Sequence, residues 1–179
     1  MARRNAEWYV LPDHQGHEVN ELGEIRNRQT GRTMQSSVNQ SGVRYVSIRN
    51  TTLGRYENKT LGVLIAETFC GGRTANENTV LHLDGNTENN AAQNLMWATR
   101  WHAMAFHNEI VDSRFNKTPR VQEITTGRVY KNALDAAKHT GCLPSAIDYA
   151  LRYNQSVNEY SNLNFVHKTY PGGLIFKYA

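Results

Sequence analysis

The chain has 179 residues, which is enough for one domain or for two or three small modules, and 39% of these residues are hydrophobic. Its mean hydropathy of -0.64 is typical of a soluble, loop-rich protein, and no apolar run approaches the length that spans a membrane. The two cysteines, Cys70 and Cys142, stand far apart without a C-x-x-C pair, which argues against a structural zinc site and a disulfide framework.

The net charge of +4 is unevenly distributed along the sequence. Residues 1–60 hold nine Lys and Arg against six Asp and Glu, residues 61–112 hold two against six, and residues 113–179 hold nine against four. Basic flanks can neutralise phosphates, while a less basic centre suits a site that binds a cation beside a phosphate. Ordinary surface charge is the alternative interpretation.

The first part of the chain carries the signals of short strands and turns. A strand is predicted over 24–27, a turn at Thr30-Gly31-Arg32, and a second strand over the alternating residues 44–48. These elements predict a small antiparallel sheet in an N-terminal module of residues 1–60. The opening MARRNAEWY has two arginines but no following apolar stretch, so it does not resemble a secretory signal, and a cytoplasmic protein is expected.

Apolar residues at helical spacing predict a helix over 61–69, which Gly71 and Gly72 close before a polar loop. The next segment, TVLHLDGNTENNAAQNLMW from Thr79 to Trp97, predicts a strand, an asparagine-rich loop and a second strand, followed by a helix after Thr99. His82 then lies at a strand end. A neutral imidazole there can take a proton from water, and a carboxamide can fix its orientation.

This spacing of His82, the DGN turn and the NLMW segment resembles the HNH endonucleases, most closely the phage intron-encoded homing subgroup. The resemblance implies a ββα-metal core over residues 61–110. It implies His82 as the catalytic base and Asn94 as the residue that holds the loop or the imidazole. It also implies a divalent metal cofactor, magnesium or manganese, bound by hard oxygen ligands.

Two positions depart from the family pattern. Leu81 stands where the residue before the histidine is often a metal-binding aspartate or asparagine, and Ala103 stands where the following helix usually offers an asparagine or histidine. Neither side chain can bind a cation. Helical geometry turns a side chain by about 100° per residue, so His102 replaces Ala103 only if the helix is rotated or distorted. The possible substitute ligands are Asp84, Asn86, His102, His107 and Asn108.

The stretch WYVLPDHQGHEVNELGEIRN resembles the modular N-terminal motif that precedes HNH cores in phage homing nucleases. The resemblance implies DNA contact beside the cleavage site. The candidate DNA-contacting arginines of the N-terminal module and the core are Arg26, Arg28, Arg32, Arg44 and Arg100. Arginines that merely solvate an exposed strand are the alternative for each of them.

After Ile110 the sequence loses periodicity and gains basic residues, which predicts a linker over 111–120. Such a linker can follow a DNA groove, or it can be a solvated tether. The candidate phosphate contacts in it are Arg114, Lys117 and Arg120.

The last module, residues 121–179, begins with a predicted hairpin around 125–128. Two short helices follow, over 132–139 and 144–152, with the turn Thr140-Gly141 between them. They resemble the C-terminal helix-turn-helix of the same nucleases, which ends in a strand of the type seen at 165–168. The second helix would present Ser145, Asp148, Tyr149 and Arg152 to DNA.

The sequence therefore predicts an α+β fold: an elongated multi-module chain with an N-terminal antiparallel sheet, a central HNH core and a C-terminal helix-turn-helix. By resemblance, a monomeric, phage-encoded protein would act in the host cell on double-stranded DNA as a site-specific endonuclease. It would nick one strand by metal-assisted phosphodiester hydrolysis. One alternative is a catalytically impaired or engineered-inactive HNH-fold DNA-binding protein, such as a repressor or accessory factor. A protein-binding adaptor or inhibitor is the third hypothesis.

Overall fold

The computed structural model describes residues 6–71, 73–157 and 174–179. The strand predicted over 165–168 lies outside the described residues. Two compact units divide the chain. The N-terminal unit runs to His82 and also contains Asn86–Trp97, while the C-terminal unit contains Leu83–Gly85 and everything from Ala98 onward.

The N-terminal unit opens with two small antiparallel sheets, where one was expected. The first sheet contains β1 (Tyr9–Leu11), β2 (His14–Val19) and β3 (Ile25–Asn27) in that order. The second contains β4 (Ser37–Val38), β5 (Arg44–Arg49) and β6 (Tyr56–Thr60), also in chain order. Because side chains alternate across a strand, Val46 and Ile48 of β5 are buried while Ser47 and Arg49 are exposed.

A buried asparagine fixes the turn between β2 and β3. The Asn20 side-chain oxygen accepts hydrogen bonds from the backbone N–H groups of Leu22 (3.1 Å) and Glu24 (3.0 Å). Gly23 between them has a φ of 84°, a conformation that disfavours any residue with a Cβ atom. The same turn contacts the loop that follows His82.

The rest of the N-terminal unit is a helix and a strand pair. Helix α1 (Leu61–Phe69) has the bounds that the apolar spacing predicts. Strand β7 (Thr79–His82) pairs with β8 (Leu95–Ala98), and a 3-10 helix over Ala92–Asn94 leads into β8. The hydrophobic core of this unit contains Leu11, Val19, Ile25, Val46, Ile48, Leu61, Leu64, Ile65, Ala66, Leu95 and Trp97.

The C-terminal unit begins with α2 (Arg100–Ile110), where the Thr99 side chain caps the first turn by accepting from the His102 N–H. A 3-10 helix follows over Ser113–Lys117, inside the segment that was expected to be a linker. Its Phe115 side chain is buried, so part of this segment is packed structure and not a solvated tether. Five residues are too few for a periodic signal, which explains why the sequence did not predict it.

In the described residues of the C-terminal unit, three short strands and two helices follow. Strands β9 (Val121–Glu123), β10 (Val129–Tyr130) and β11 (Phe176–Tyr178) form an antiparallel sheet in the order β10-β9-β11. Helices α3 (Ala133–Thr140) and α4 (Pro144–Tyr153) agree with the predicted helices. The Asn132 side chain caps the start of α3, and Gly141 ends it at a φ of 73°. None of the helices in the described residues is long and apolar enough to cross a membrane.

Candidate active site and nucleic-acid interface

His82 ends β7 and its ring is half-buried. The ring nitrogen Nε2 lies 3.2 Å from Oδ1 of Asn90, a residue that is itself buried. The resemblance implied that Asn94 holds either the loop or the imidazole. Its Nδ2 donates to the Asn89 carbonyl over 2.8 Å, so it holds the loop.

Asn90 is therefore a contact of the imidazole that the sequence pattern did not reveal. Asn90 and its neighbour Asn89 have the same chemistry and sit in the same loop, and no periodic signal separates them. In the structure the two residues differ in burial, because Asn90 is buried and Asn89 is exposed.

The residues present do not fit the divalent metal that the resemblance implies. Leu81 is only 3% exposed and offers hydrocarbon alone, and Ala103 on α2 offers a methyl group. Among the residues that the structure describes, no group of three or more His, Cys, Asp or Glu side chains is placed to hold a metal ion. Hard cations need several oxygen ligands, so the family positions here do not supply a site.

His102, one of the proposed substitute ligands, is not accessible to a cation in this structure. Its side chain is 1% exposed, and its Nε2 donates to the Gly141 carbonyl over 2.8 Å. Burial lowers the pKa of the His102 imidazole, and the hydrogen bond to Gly141 opposes that shift only in part. His102 is thus a neutral structural residue of the C-terminal unit.

The other substitutes are more exposed but do not form a ligand cluster. His107 and Asn108 are exposed on α2, and the Asp84 side chain is half-buried. Asn86 is exposed, and its side-chain oxygen accepts from the Glu88 N–H over 3.1 Å. The side-chain oxygen of Asn86 therefore accepts at least one hydrogen bond within its own loop.

Most of the candidate DNA-contacting arginines of the N-terminal unit form ion pairs within the protein. Arg26 lies 2.7 Å from the Glu18 carboxylate and Arg28 lies 3.6 Å from it. Arg44 pairs with Glu88 over 2.6 Å. Arg32 is exposed and has no ion pair among the described residues. A carboxylate partner partly neutralises an arginine and occupies some of its N–H donors, so Arg32 is the strongest phosphate-contact candidate of these four.

The exposed face of β5 and β6 carries polar groups that the sequence pattern did not single out. Ser47 is opposite Asn58 and Arg49 is opposite Tyr56, and all four are exposed. The alternation of buried and exposed residues along 44–49 was the signal that could have identified Ser47 and Arg49.

In the C-terminal unit, Ser145 is half-buried in the first turn of α4, where the Glu109 side chain from α2 caps the helix. Its backbone N–H and its hydroxyl both donate to the Glu109 carboxylate over 2.9 Å, at the first turn of α4. Arg152 pairs with Asp148 over 2.8 Å, and Tyr149 stacks on Tyr153 with ring centroids 4.4 Å apart. Ser145 is therefore a poor candidate for DNA contact.

The basic residues around the short 3-10 helix remain at the surface. Arg114 is exposed and pairs with Asp112 over 2.6 Å, and hydrogen bonds from Arg114 lower the pKa of the Asp112 carboxyl. Lys117 and Arg120 are exposed, as is Arg100 at the start of α2.

Comparison with known proteins gives two matches to the same nuclease. No family model matches the chain. The DNA endonuclease I-HmuI of Bacillus phage SP01 is 32% identical over 98 residues, which are 52% of this chain and 53% of the relative. The chain thus matches about half the length of that relative. A solved structure on DNA binding and cleavage by the HNH homing endonuclease I-HmuI covers 97% of this chain and 98% of its own, with a TM-score of 0.50 and 20% identity.

The structural match supports a shared fold, and the sequence match points independently to the same protein. The resemblance of this chain to the HNH homing endonucleases, which its histidine-containing segment predicts, is therefore confirmed.

Proposed function

We propose that the chain is a site-specific DNA endonuclease of the HNH homing type, which acts on double-stranded DNA and nicks one strand. The observation that carries this proposal is the half-buried His82 at the end of β7, whose ring contacts a carboxamide. The similarity to I-HmuI and the basic flanks of the sequence support a DNA substrate.

In the proposed reaction, the unprotonated ring nitrogen of His82 takes a proton from a water molecule, whose oxygen attacks the phosphorus. The bond from phosphorus to the 3′-oxygen breaks, and the leaving 3′-oxygen takes a proton from a second water molecule, which leaves a 5′-phosphate and a 3′-hydroxyl. The ring contact with Asn90 and the loop contact of Asn94 keep the imidazole oriented. Because the histidine-containing pattern occurs once in the sequence, one strand is cut per binding event.

The resemblance also implies magnesium or manganese as a cofactor. The side chains of Leu81 and Ala103 do not supply ligands for it. The cofactor, the module boundaries at 60, 110 and 120, and the helix-turn-helix role of α3 and α4 stay predictions.

The proposal is tested with supercoiled plasmids that carry randomised inserts, incubated with the full chain in magnesium, manganese or chelator. We expect nicked product from the wild type and a loss of at least about 100-fold in His82→Ala, because a general base contributes about that much. DNA affinity should be unchanged. Gln93→Ala, an exposed amide in the same loop, is the matched control and should nick like the wild type. Equal nicking by His82→Ala would contradict the proposed role.

A second candidate function is a DNA-binding protein that keeps the HNH fold but does not cleave. The buried Leu81 and the alanine at 103 favour it. If it holds, the wild type binds DNA without nicking, and Ala103→Asn gains metal-dependent nicking because it adds an oxygen ligand. Ala105→Asn, on the same helix and similarly half-exposed, is the control and should gain nothing.

A further inference from the structure

Helix α2 carries large apolar side chains on its exposed face. Trp101 is 67% exposed and Met104 is 58% exposed, and Val111, directly after the helix, is 75% exposed. Residues three apart lie side by side on a helix, so Trp101 and Met104 are neighbours on this face. Single exposed apolar residues are common, but a group of large ones on one face indicates a binding surface.

The packing of the opposite face of α2 imposes this exposure. His102, Phe106 and Ile110 are buried. The His102 ring also donates to the Gly141 carbonyl over 2.8 Å. Because successive side chains are about 100° apart around a helix, turning Trp101 into the core would bring these buried residues to the surface. Trp101 is therefore kept at the surface by the way in which α2 is packed.

The charges around the exposed face of α2 are suited to a polyanion. Arg100 and His107 are exposed and lie on the same side of the helix as Met104. Glu109, the acidic residue of α2, is half-buried and accepts from Ser145 of α4. Within the described residues, α2 thus places a cation and apolar groups on this face, but no carboxylate. Surfaces that contact both the bases and the phosphates of nucleic acids have this composition.

The size of the face argues against a second copy of the chain as its occupant. A fully covered aromatic side chain buries about 150–250 Å². Met104 and Val111 are smaller than Trp101, so the three apolar side chains together stay below the roughly 800 Å² per partner of a stable protein interface. A single opened base step, in contrast, is filled by one or two side chains.

We propose that Trp101 and Met104 form a wedge that enters a base-pair step of double-stranded DNA, with the indole stacked on a base and Arg100 at an adjacent phosphate. Such a wedge unstacks the step, and the apolar contacts that it gains offset the cost of unstacking. Steps that unstack easily, such as TA and CA, are then preferred at this position without a hydrogen bond to any base. DNA as the ligand rests on the proposed endonuclease function, to which the wedge adds a determinant of site choice.

The experiment compares binding of the full chain, in chelator, to a labelled duplex of mixed sequence and to the same duplex with one central mismatch. A mismatched step costs less to unstack, so the wild type should bind the mismatched duplex more tightly. Trp101→Ala should weaken binding by about 5-fold or more, as loss of one stacked base does, and should lose the preference for the mismatch. Met104→Ala should reduce the same preference. Ile124→Ala, an apolar side chain of the C-terminal unit that is 49% exposed, is the matched control and should bind like the wild type.

Tryptophan fluorescence identifies the stacked ring, because stacking on a base quenches the emission of an indole. The tryptophans of the chain are Trp8, Trp97 and Trp101. DNA should quench Trp8→Phe nearly as much as the wild type, whereas Trp101→Phe should lose most of the quenching. Trp101→Phe should nevertheless keep most of the affinity, since a phenyl ring also stacks. Trp101 and Met104 are exposed, so their variants should fold, which circular dichroism checks.

The outcomes separate the wedge from the endonuclease proposal. If the wild type nicks DNA but Trp101→Ala equals it in affinity and in mismatch preference, the wedge is wrong and the endonuclease function stands. If the expected losses of affinity and quenching occur but no protein nicks DNA, the wedge stands and the endonuclease function fails. A wild-type dimer that Trp101→Ala dissociates in sedimentation would show that the face binds a second copy, and a wild type without DNA affinity would overturn both proposals.

Discussion

At the scale of single residues, burial decides which histidines can do chemistry. His102 is almost fully enclosed in the C-terminal unit and donates to Gly141, whereas His82 is half-buried. Desolvation penalises the charged form of His102 and lowers its pKa below the ordinary value of 6.5. His102 is therefore a pH-sensitive structural element, and His82 is the candidate for proton transfer.

This difference predicts how stability depends on pH. The pKa of His102 is lower in the folded state than in the unfolded state, so the unfolded chain binds the proton first as the pH falls. The stabilisation is complete above about pH 6.5. It is lost as the pH falls from there through the lowered pKa of the folded state.

Urea unfolding of the wild type and of His102→Gln at several pH values tests this dependence. Glutamine keeps a donor for the Gly141 carbonyl but does not titrate, so its variant should lose less unfolding free energy between pH 7 and pH 5. His107→Gln, at an exposed position of the same helix, should keep the wild-type slope. Parallel pH curves for the wild type and His102→Gln would contradict the assignment.

The sequence identified His82 but not the residues around it. A histidine at a strand end before a DGN turn is a local pattern, so it can be read along the chain. The contact with Asn90 depends on the loop returning to α1 and on Gly23 and Gly62 making room, which are tertiary facts. The burial of His102 could not be predicted for the same reason, because the elements that pack on a helix decide which of its faces is buried.

At the scale of elements, the start of α4 depends on a side chain from another helix. Leu143 precedes the helix and offers no capping group, and Glu109 of α2 accepts from the Ser145 N–H and hydroxyl. Glu109 thus does for α4 what Thr99 and Asn132 do locally for α2 and α3.

Replacing Glu109 with alanine should lower the free energy of unfolding by about 1 kcal/mol, the usual effect of losing a cap. Urea denaturation followed by circular dichroism measures it. Asn108→Ala, at the exposed neighbouring position, is the control and should stay close to the wild type. A Glu109→Ala variant as stable as Asn108→Ala would show that this contact adds nothing to α4.

Periodicity predicted the helices well because each one has an apolar face and a recognisable end. Helix α1 has the predicted bounds, and Gly141 ends α3 where the sequence placed the turn. The 3-10 helix over Ser113–Lys117 was missed, since its position is set by the burial of Phe115 and not by a repeat.

At the scale of the whole molecule, the basic flanks predict DNA binding that weakens with salt. Each phosphate contact releases counterions, so removing one should reduce the slope of log affinity against log salt by about 0.9. Arg32→Ala is expected to do this, because Arg32 is exposed and has no ion pair among the described residues. Titration of a labelled duplex at several salt concentrations measures the slope.

The control for this measurement is Arg55→Ala, since Arg55 is exposed but is not a candidate contact and lies 3.4 Å from the Glu57 carboxylate. Its slope should equal that of the wild type. Equal slopes for Arg32→Ala and the wild type would remove Arg32 from the interface.

The sequence predicted the charge distribution of the molecule, but not how many of its cations are already neutralised. Charge is counted residue by residue, whereas ion pairs such as Arg44 with Glu88 join residues far apart in the chain. The resemblance to HNH homing endonucleases came from local motifs in a fixed order, and motifs of that kind can be recognised from the amino-acid sequence alone.

The turn that Asn20 fixes in the amino-terminal sheet supports the loop on which Asn90 lies. Glu21 and Gly23 in that turn contact the very loop that presents Asn90 to the imidazole. A shortened protein starting at residue 61 would lose both contacts, together with the ion pair from Arg44. If the amino-terminal module were exchanged for that of another nuclease, both the target sequence and the position of Asn90 would consequently change, unless the new module supplied an equivalent turn.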